Sequence, residues 1–179
     1  MTKDLIVRTA SQFDIERWLA LFEAVAAEGK WIGAESPVDK DERREIFDRI
    51  VNSSDAVVLI AEVDGQLVGV LNGRIHRGVV DLGLIVDKGW RGKGVGSRLI
   101  RTCLSWAADH RAHKVFLEVR PHNTDAIALY HKFGFVEEGR LRRHYRRRNG
   151  ELWDAVQMGL VLDLTSPGSP YQELSPPRG

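Results

Sequence analysis

The sequence predicts an α+β domain built around one mixed sheet, and three observations predict it. Apolar runs of strand length and stretches of helical spacing follow one another in the order β α α β β β α β α β β. Asp64-Gly65 and Asn149-Gly150 each sit between two strand-like runs, the signature of antiparallel hairpins. Helical segments over 94–110 and 125–132 each separate two strands, which calls for crossovers to parallel neighbours.

Taken in order, Leu5 to Thr9 reads as the first strand. Ser11 with Asp14 forms a loose capping box, and Ile15, Trp18, Leu19, Phe22, Val25 and Ala26 follow at helical spacing until Gly29. KWIGAES is a loop closed by Ser36-Pro37, read as the start of a polar second helix over 38–52 that buries Ile46, Phe47 and Ile50. Strands over 56–63 and 67–76 flank the Asp64-Gly65 turn, and Gly78 turns the chain into Val79 to Val86, where Gly83 is a candidate bulge. The helix over 94–110 turns Val95, Leu99, Ile100, Cys103, Leu104 and Ala107 inward. A strand over 114–120 precedes the helix over 125–132, capped at Asn123 or Thr124 and stopped by Gly134. A long hairpin, 135–148 and 151–162, completes the domain at about residue 164, and TSPGSPYQELSPPRG (165–179) reads as a disordered tail.

The 179 residues suffice for one domain with its own core, and a net charge of +1 offers no reason to expect a nucleic-acid partner. That average hides an asymmetry. Residues 1–60 hold 12 acids and 8 bases, whereas residues 86–150 hold 15 bases and 6 acids. One cysteine, no apolar leader and no membrane-length apolar run fit a cytoplasmic protein. Cys103 falls on an inward helix stripe and reads as a packed small hydrophobe. No metal site is expected, because His110 and His113 straddle a helix end without a third ligand.

Within the basic half, WRGKGVGSRL (90–99) places three glycines at alternate positions between a strand and a helix. Such a turn holds an anion: the first-turn amides lack intrahelical acceptors, the helix dipole adds roughly half a positive charge, and glycine allows close approach. The spacing excludes two nucleotide-binding patterns. Ser97 stands where a dinucleotide fingerprint needs its third glycine, and Gly94 where a P-loop needs Ser or Thr.

What remains is Arg91-x-x-Gly94-x-Gly96, preceded by GLIVDKGW and followed by SRLI. Downstream, LEVRPHNTDAIALYHKFGF carries Asn123, Ala126, Leu129, Tyr130, Phe133, Gly134 and Phe135 in one recurring pattern. Together these segments resemble the two signatures of the GNAT superfamily of N-acetyltransferases. Glu118-Val119-Arg120 is most similar to the ribosomal-protein-alanine group, and GRLRRHYRRRNGELWDAVQMGL to the wider small-amine group. The resemblance implies about seven strands and four helices, with the sheet splayed between its fourth and fifth strands. It implies acetyl-CoA as co-substrate, its pantetheine against Leu84, Ile85 and Val86, and its diphosphate on the amides of Gly92, Lys93, Gly94, Val95, Gly96 and Ser97. The side chains of Arg91 and Lys93 are secondary candidates for phosphate. Asn123 either hydrogen-bonds the pantetheine or orders the strand–helix junction.

The implied reaction moves an acetyl group to a primary amine, of a small molecule or a protein N-terminus. Tyr130 stands where the superfamily places its leaving-group acid. Glu118 is the first candidate base, the alternative being an ion pair with Arg120 or another arginine. Glu35 in the loop after the first helix is the second, the alternative being a solvated loop acid; Trp31 either walls the acceptor pocket or anchors that loop. Arg140, Arg142, Arg146 and Arg148 share one face of the last hairpin by alternation, with Arg143 and Arg147 on the other. Two rival functions stay open, a CoA-binding sensor without turnover and an RNA- or ribosome-binding module acting through these arginines. A homodimer through the final strands is a further expectation.

Overall fold

A computed structural model describes residues 4–162, so the expected tail over 165–179 lies outside the described residues. Seven strands form a single sheet: β1 (Leu5–Thr9), β2 (Ala56–Val63), β3 (Gln66–His76), β4 (Val79–Val86), β5 (Lys114–Val119), β6 (Val136–Arg146) and β7 (Leu152–Val161). Their spatial order is β1-β2-β3-β4-β5-β7-β6. The helices are α1 (Ile15–Ala27), α2 (Lys40–Val51), α3 (Val95–Asp109) and α4 (Thr124–Lys132). The expected α+β class and splayed mixed sheet are present. Among the crossovers, β4–α3–β5 joins adjacent parallel strands, whereas β5–α4–β6 leaves a gap that β7 fills, antiparallel to both neighbours.

The sheet is buried on both faces of its first half. On one side α3 and α4 cover Val80, Leu82, Val115, Leu117 and Val119, with Leu99, Ile100 and Cys103 in the same core. All six inward residues expected of α3 are buried. Burial pushes the Cys103 thiol up to about 12, so it stays protonated and inert. On the other side Trp18, Leu19, Val25 and Phe47 of α1 and α2 pack on Val58, Ile60 and Val70. Because strand residues alternate, β5 turns Phe116, Glu118 and then Arg120 to this second face. Here α1 and α2 reach β2, β3 and β4. Among the described residues no helix is long and apolar enough to cross a membrane.

Several local expectations are corrected. The second helix starts at Lys40, capped by Asp39, whose side chain accepts from the backbone N–H of Asp41 and Glu42. Ser36-Pro37 does not start it. The Ser36 hydroxyl pairs with Glu23, and the Val38 N–H donates to the same carboxylate at 3.0 Å, so these residues run along α1. Gly83 is not a bulge, because the β3–β4 ladder continues unbroken through it. It is glycine because the Asn72 amide lies where a Cβ would stand, 2.8 Å away. The last hairpin closes through a three-residue loop with Gly150 left-handed at φ 88°, the Arg147 N–H donating to the Glu151 carbonyl at 2.8 Å.

Asp14 is almost fully buried and accepts from Arg8, from the Ser11 backbone and from Arg17. The Arg8 guanidinium foremost, with the Ser11 N–H and Arg17, holds its carboxyl well below the ordinary 3.8. A carboxyl so depressed stabilises the fold fully above its unfolded value and loses that contribution as pH falls through the folded one. Asp14→Asn should therefore cost about 2 kcal/mol at pH 7. In urea titrations at descending pH, the gap between wild type and variant should hold down to about pH 4 and shrink below it.

Candidate active site

The parallel pairing of β4 with β5 covers three residue pairs, Val79 with Lys114 to Asp81 with Phe116, while β4 stays paired to β3 as far as Val86. From Leu82 onward one edge of β4 has no strand beside it, and the sheet opens as a wedge. Leu84, Ile85 and Val86 line that edge, half-buried. The Val86 carbonyl already accepts from Arg91 Nε at 3.0 Å.

The chain leaves β4 through a short turn into α3. Gly92 and Gly94 are left-handed, φ 71° and 84°, and the space beside each is open. Gly94 is the N-cap of α3, and its carbonyl accepts from the Arg98 N–H at 3.0 Å. The N–H groups of Val95, Gly96 and Ser97 therefore begin the helix without an intrahelical acceptor. Gly96 serves packing instead: a Cβ there would meet Leu129 at 2.9 Å, so glycine lets α3 lie close against α4. An open loop of amides at a helix start suits a diphosphate.

The basic side chains of this loop are partly spent elsewhere. Arg91 bonds Glu28 through both terminal nitrogens, at 2.8 and 2.5 Å, and lies over the Trp31 ring. Its guanidinium ties the loop to the end of α1. Lys93 sits over the Trp90 ring, its ammonium 5.0 Å from the centroid. Asn123 caps α4, its side chain accepting from the Ala126 N–H at 3.4 Å.

Tyr130, on α4, is 6% exposed and packs against Phe135 with ring centroids 5.7 Å apart. Burial pushes its phenol well above the ordinary 10, so the hydroxyl keeps its proton. It belongs to the α3/α4 side of the sheet, Glu118 to the opposite side.

On the second face, Glu118 accepts from the Tyr145 hydroxyl at 2.5 Å and from Gln157 Nε2 at 3.3 Å, with His144 Nε2 3.7 Å away. Among the described residues it has no ion pair with Arg120 or any other arginine. Desolvation first, and the Glu118 bond second, raise the Tyr145 phenol. Asp81, odd within its apolar strand, stands at the vertex of the wedge. It reaches solvent there, yet surrounding protein and then the Glu118 charge push its carboxyl up.

The loop between α1 and α2 walls this face and is fastened from three elements. Arg147, 5% exposed, donates to the carbonyls of Gly29, Ile32 and Gly33 at 3.1–3.2 Å and lies over the Trp153 ring. Glu35 accepts from the Arg148 N–H at 2.9 Å and faces Arg147 at 3.6 Å, so its carboxylate is engaged in holding the loop. Arg148 donates to the Ser36 and Pro37 carbonyls. His122 Nε2 is 2.7 Å from the Lys30 carbonyl, and Trp31 Nε1 donates to Glu28. Trp31 thus anchors the loop.

Sequence reasoning missed Tyr145, Gln157 and the separate roles of Arg120 and Arg147. Tyr145 is the one tyrosine in a run of arginines, beside His144, which was the available signal. Its partner was hidden by an irregular stretch of β6, where four steps from Leu141 to Tyr145 face two steps of β7.

A wedge in a mixed sheet, a glycine-led helix start on one side and a carboxylate on the other define an acyl-transfer scaffold. Residues 17–135 match the acetyltransferase (GNAT) family, and the chain belongs to that family and is an acetyltransferase. It is 37% identical over 112 residues to the L-amino acid N-acetyltransferase AaaT of Escherichia coli, covering 58% of this chain and 67% of the relative. The ribosomal-protein-alanine N-acetyltransferase structure from Brucella melitensis superposes with TM-score 0.80 at 26% identity, over 88% of this chain and 99% of that one. YncA from Salmonella typhimurium, solved with its cofactor acetyl-CoA, shares the fold with TM-score 0.80 at 21% identity, over 93% and 99%.

Proposed function

We propose that this chain transfers the acetyl group of acetyl-CoA to a primary amine by direct attack within a ternary complex. The observation that carries the reading is the wedge between β4 and β5 beside the glycine-led start of α3. Tyr130 in the core of the α3/α4 side and Glu118 on the opposite face support it. Acetyl-CoA supplies an activated thioester carbonyl and a thiolate leaving group. The free edge of Leu84, Ile85 and Val86 holds its pantetheine arm, with Asn123 at the junction below. The amides from Gly92 to Ser97 hold its diphosphate, and Lys93 adds charge at the rim.

Two protons have to move. An alkylammonium with pKa near 10.4 is about 1/2500 neutral at pH 7, a deficit of about 4–5 kcal/mol in available nucleophile. Glu118 removes that proton, directly or through one water. Tyr130 donates to the sulfur as the carbon–sulfur bond breaks. Glu35 shapes the acceptor loop and is the reserve candidate for the base. The relatives' names span a free amino acid and a ribosomal-protein alanine, so the family alone does not select the acceptor.

The test is a panel of amines (amino acids, polyamines, aminoglycosides, N-terminal peptides) offered with acetyl-CoA, reading free thiol and acetylated amine together. Matched release with at least one class supports the reading. Tight acetyl-CoA binding without turnover would reduce the chain to a sensor, and salt-steep RNA binding without turnover would favour an RNA-binding module.

A further inference from the structure

We propose that the acceptor is a free amino acid whose carboxylate is held by Arg120; the inference rests on the acetyl-transfer reading above. Arg120 follows β5, two residues beyond Glu118 on the same face, and its side chain is 4% exposed. The guanidinium stacks 3.5 Å above the centre of the Tyr145 ring. One terminal nitrogen lies 3.2 Å from where a Cβ on Gly33 would stand, so it reaches the acceptor loop. Its Nε is buried with no hydrogen-bond partner, and among the described residues no carboxylate comes within ion-pair reach.

Arg43 Nε is also without a hydrogen-bond partner, but that side chain is 29% exposed and its terminal nitrogen faces Glu42 at 3.6 Å. Among the described residues the other two buried charged side chains are matched. Asp14 has two arginines, and Arg147 has three carbonyls and Glu35. Glu118, the nearest acid along β5, is occupied by Tyr145 and Gln157. A buried guanidinium presents five donors in a planar fork, and removing them from water is costly without an anion. Tyr145 offsets part of that cost through its π face and through its phenol oxygen, which Arg120 also reaches, but one oxygen does not occupy a fork of five donors. A carboxylate is the ligand that fits such a fork.

Spacing then narrows the acceptor. Residues two apart on a strand lie roughly 6.5–7 Å apart along it. A carboxylate on Arg120 therefore sets an amine one or two carbons away beside Glu118 and Tyr145. An α- or β-amino acid spans that interval. A peptide N-terminus brings a neutral amide to Arg120, and a polyamine brings a second cation.

The test compares L-amino acids with their carboxamides, which keep the amine and lose the charge. For the acids that turn over, kcat/KM should exceed that of the amide on the order of 10–100-fold, and in Arg120→Gln the ratio should collapse toward one. Thermal shifts without any thioester should show the same acid preference in the wild type. Equal use of acid and amide by the wild type, or a preference that survives in Arg120→Gln, overturns the assignment. If the variant does not fold, the wild-type comparison decides alone. An acid-specific thermal shift with no thiol release from any amine would sink the transfer reading and keep the carboxylate site. Thiol release with peptides or amides only would do the reverse.

Discussion

Tyr130→Phe should lower kcat by roughly a hundredfold while acetyl-CoA affinity stays nearly unchanged. The change removes one oxygen from a ring that otherwise keeps its place against Phe135. The hydroxyl holds no hydrogen bond to another described residue, so no network collapses with it and the melting temperature should barely move. What is lost is a proton donor, a neutral phenol that burial keeps protonated far above neutral pH. Calorimetry with acetyl-CoA and steady-state thiol release, run on the same preparation, separate binding from turnover. Equal rates in variant and wild type would remove Tyr130 from the mechanism. A joint fall in affinity and rate would make it a packing residue of the wedge.

Arg147→Ala should be the most damaging single change on the acceptor side. It strips three carbonyls of their donor, leaves Glu35 without its facing cation and uncovers Trp153. Loss of a buried guanidinium bonded through both terminal nitrogens costs about 3 kcal/mol or more. Urea midpoints should report that cost. The acceptor KM should rise about tenfold or more, because the loop over residues 29–37 loses its main fastening, while the acetyl-CoA KM stays close to wild type. Arg147→Lys should recover little, since one ammonium cannot serve three carbonyls spread over the loop. A rise confined to the acetyl-CoA KM would show that this loop does not border the acceptor.

The parts of this protein legible before folding were those governed by local chemistry. Gly92 and Gly94 are left-handed where the glycine-rich turn demanded it, the α3 stripe is buried in full, and Asn123 caps α4. Each depends on neighbours within a turn or two of chain. The open face was not legible. Glu118 meets Tyr145 across 27 positions, and Arg147 meets Gly29 across 118. Nothing in an arginine run distinguishes the buried Arg147 from exposed Arg146 beside it.

The amino-acid sequence by itself determined the anion turn, the helix stripes and the hairpin positions, because backbone angles and helix periodicity are settled over short spans. Only the tertiary structure decided which charges find partners and that the buried Arg120 guanidinium meets no carboxylate among the described residues. That outcome depends on strand register. The two extra residues of β6 between Leu141 and Tyr145 bring Tyr145 opposite Trp153 and under Arg120. Register is set by how distant strands bury their faces together, and no local span of sequence carries it.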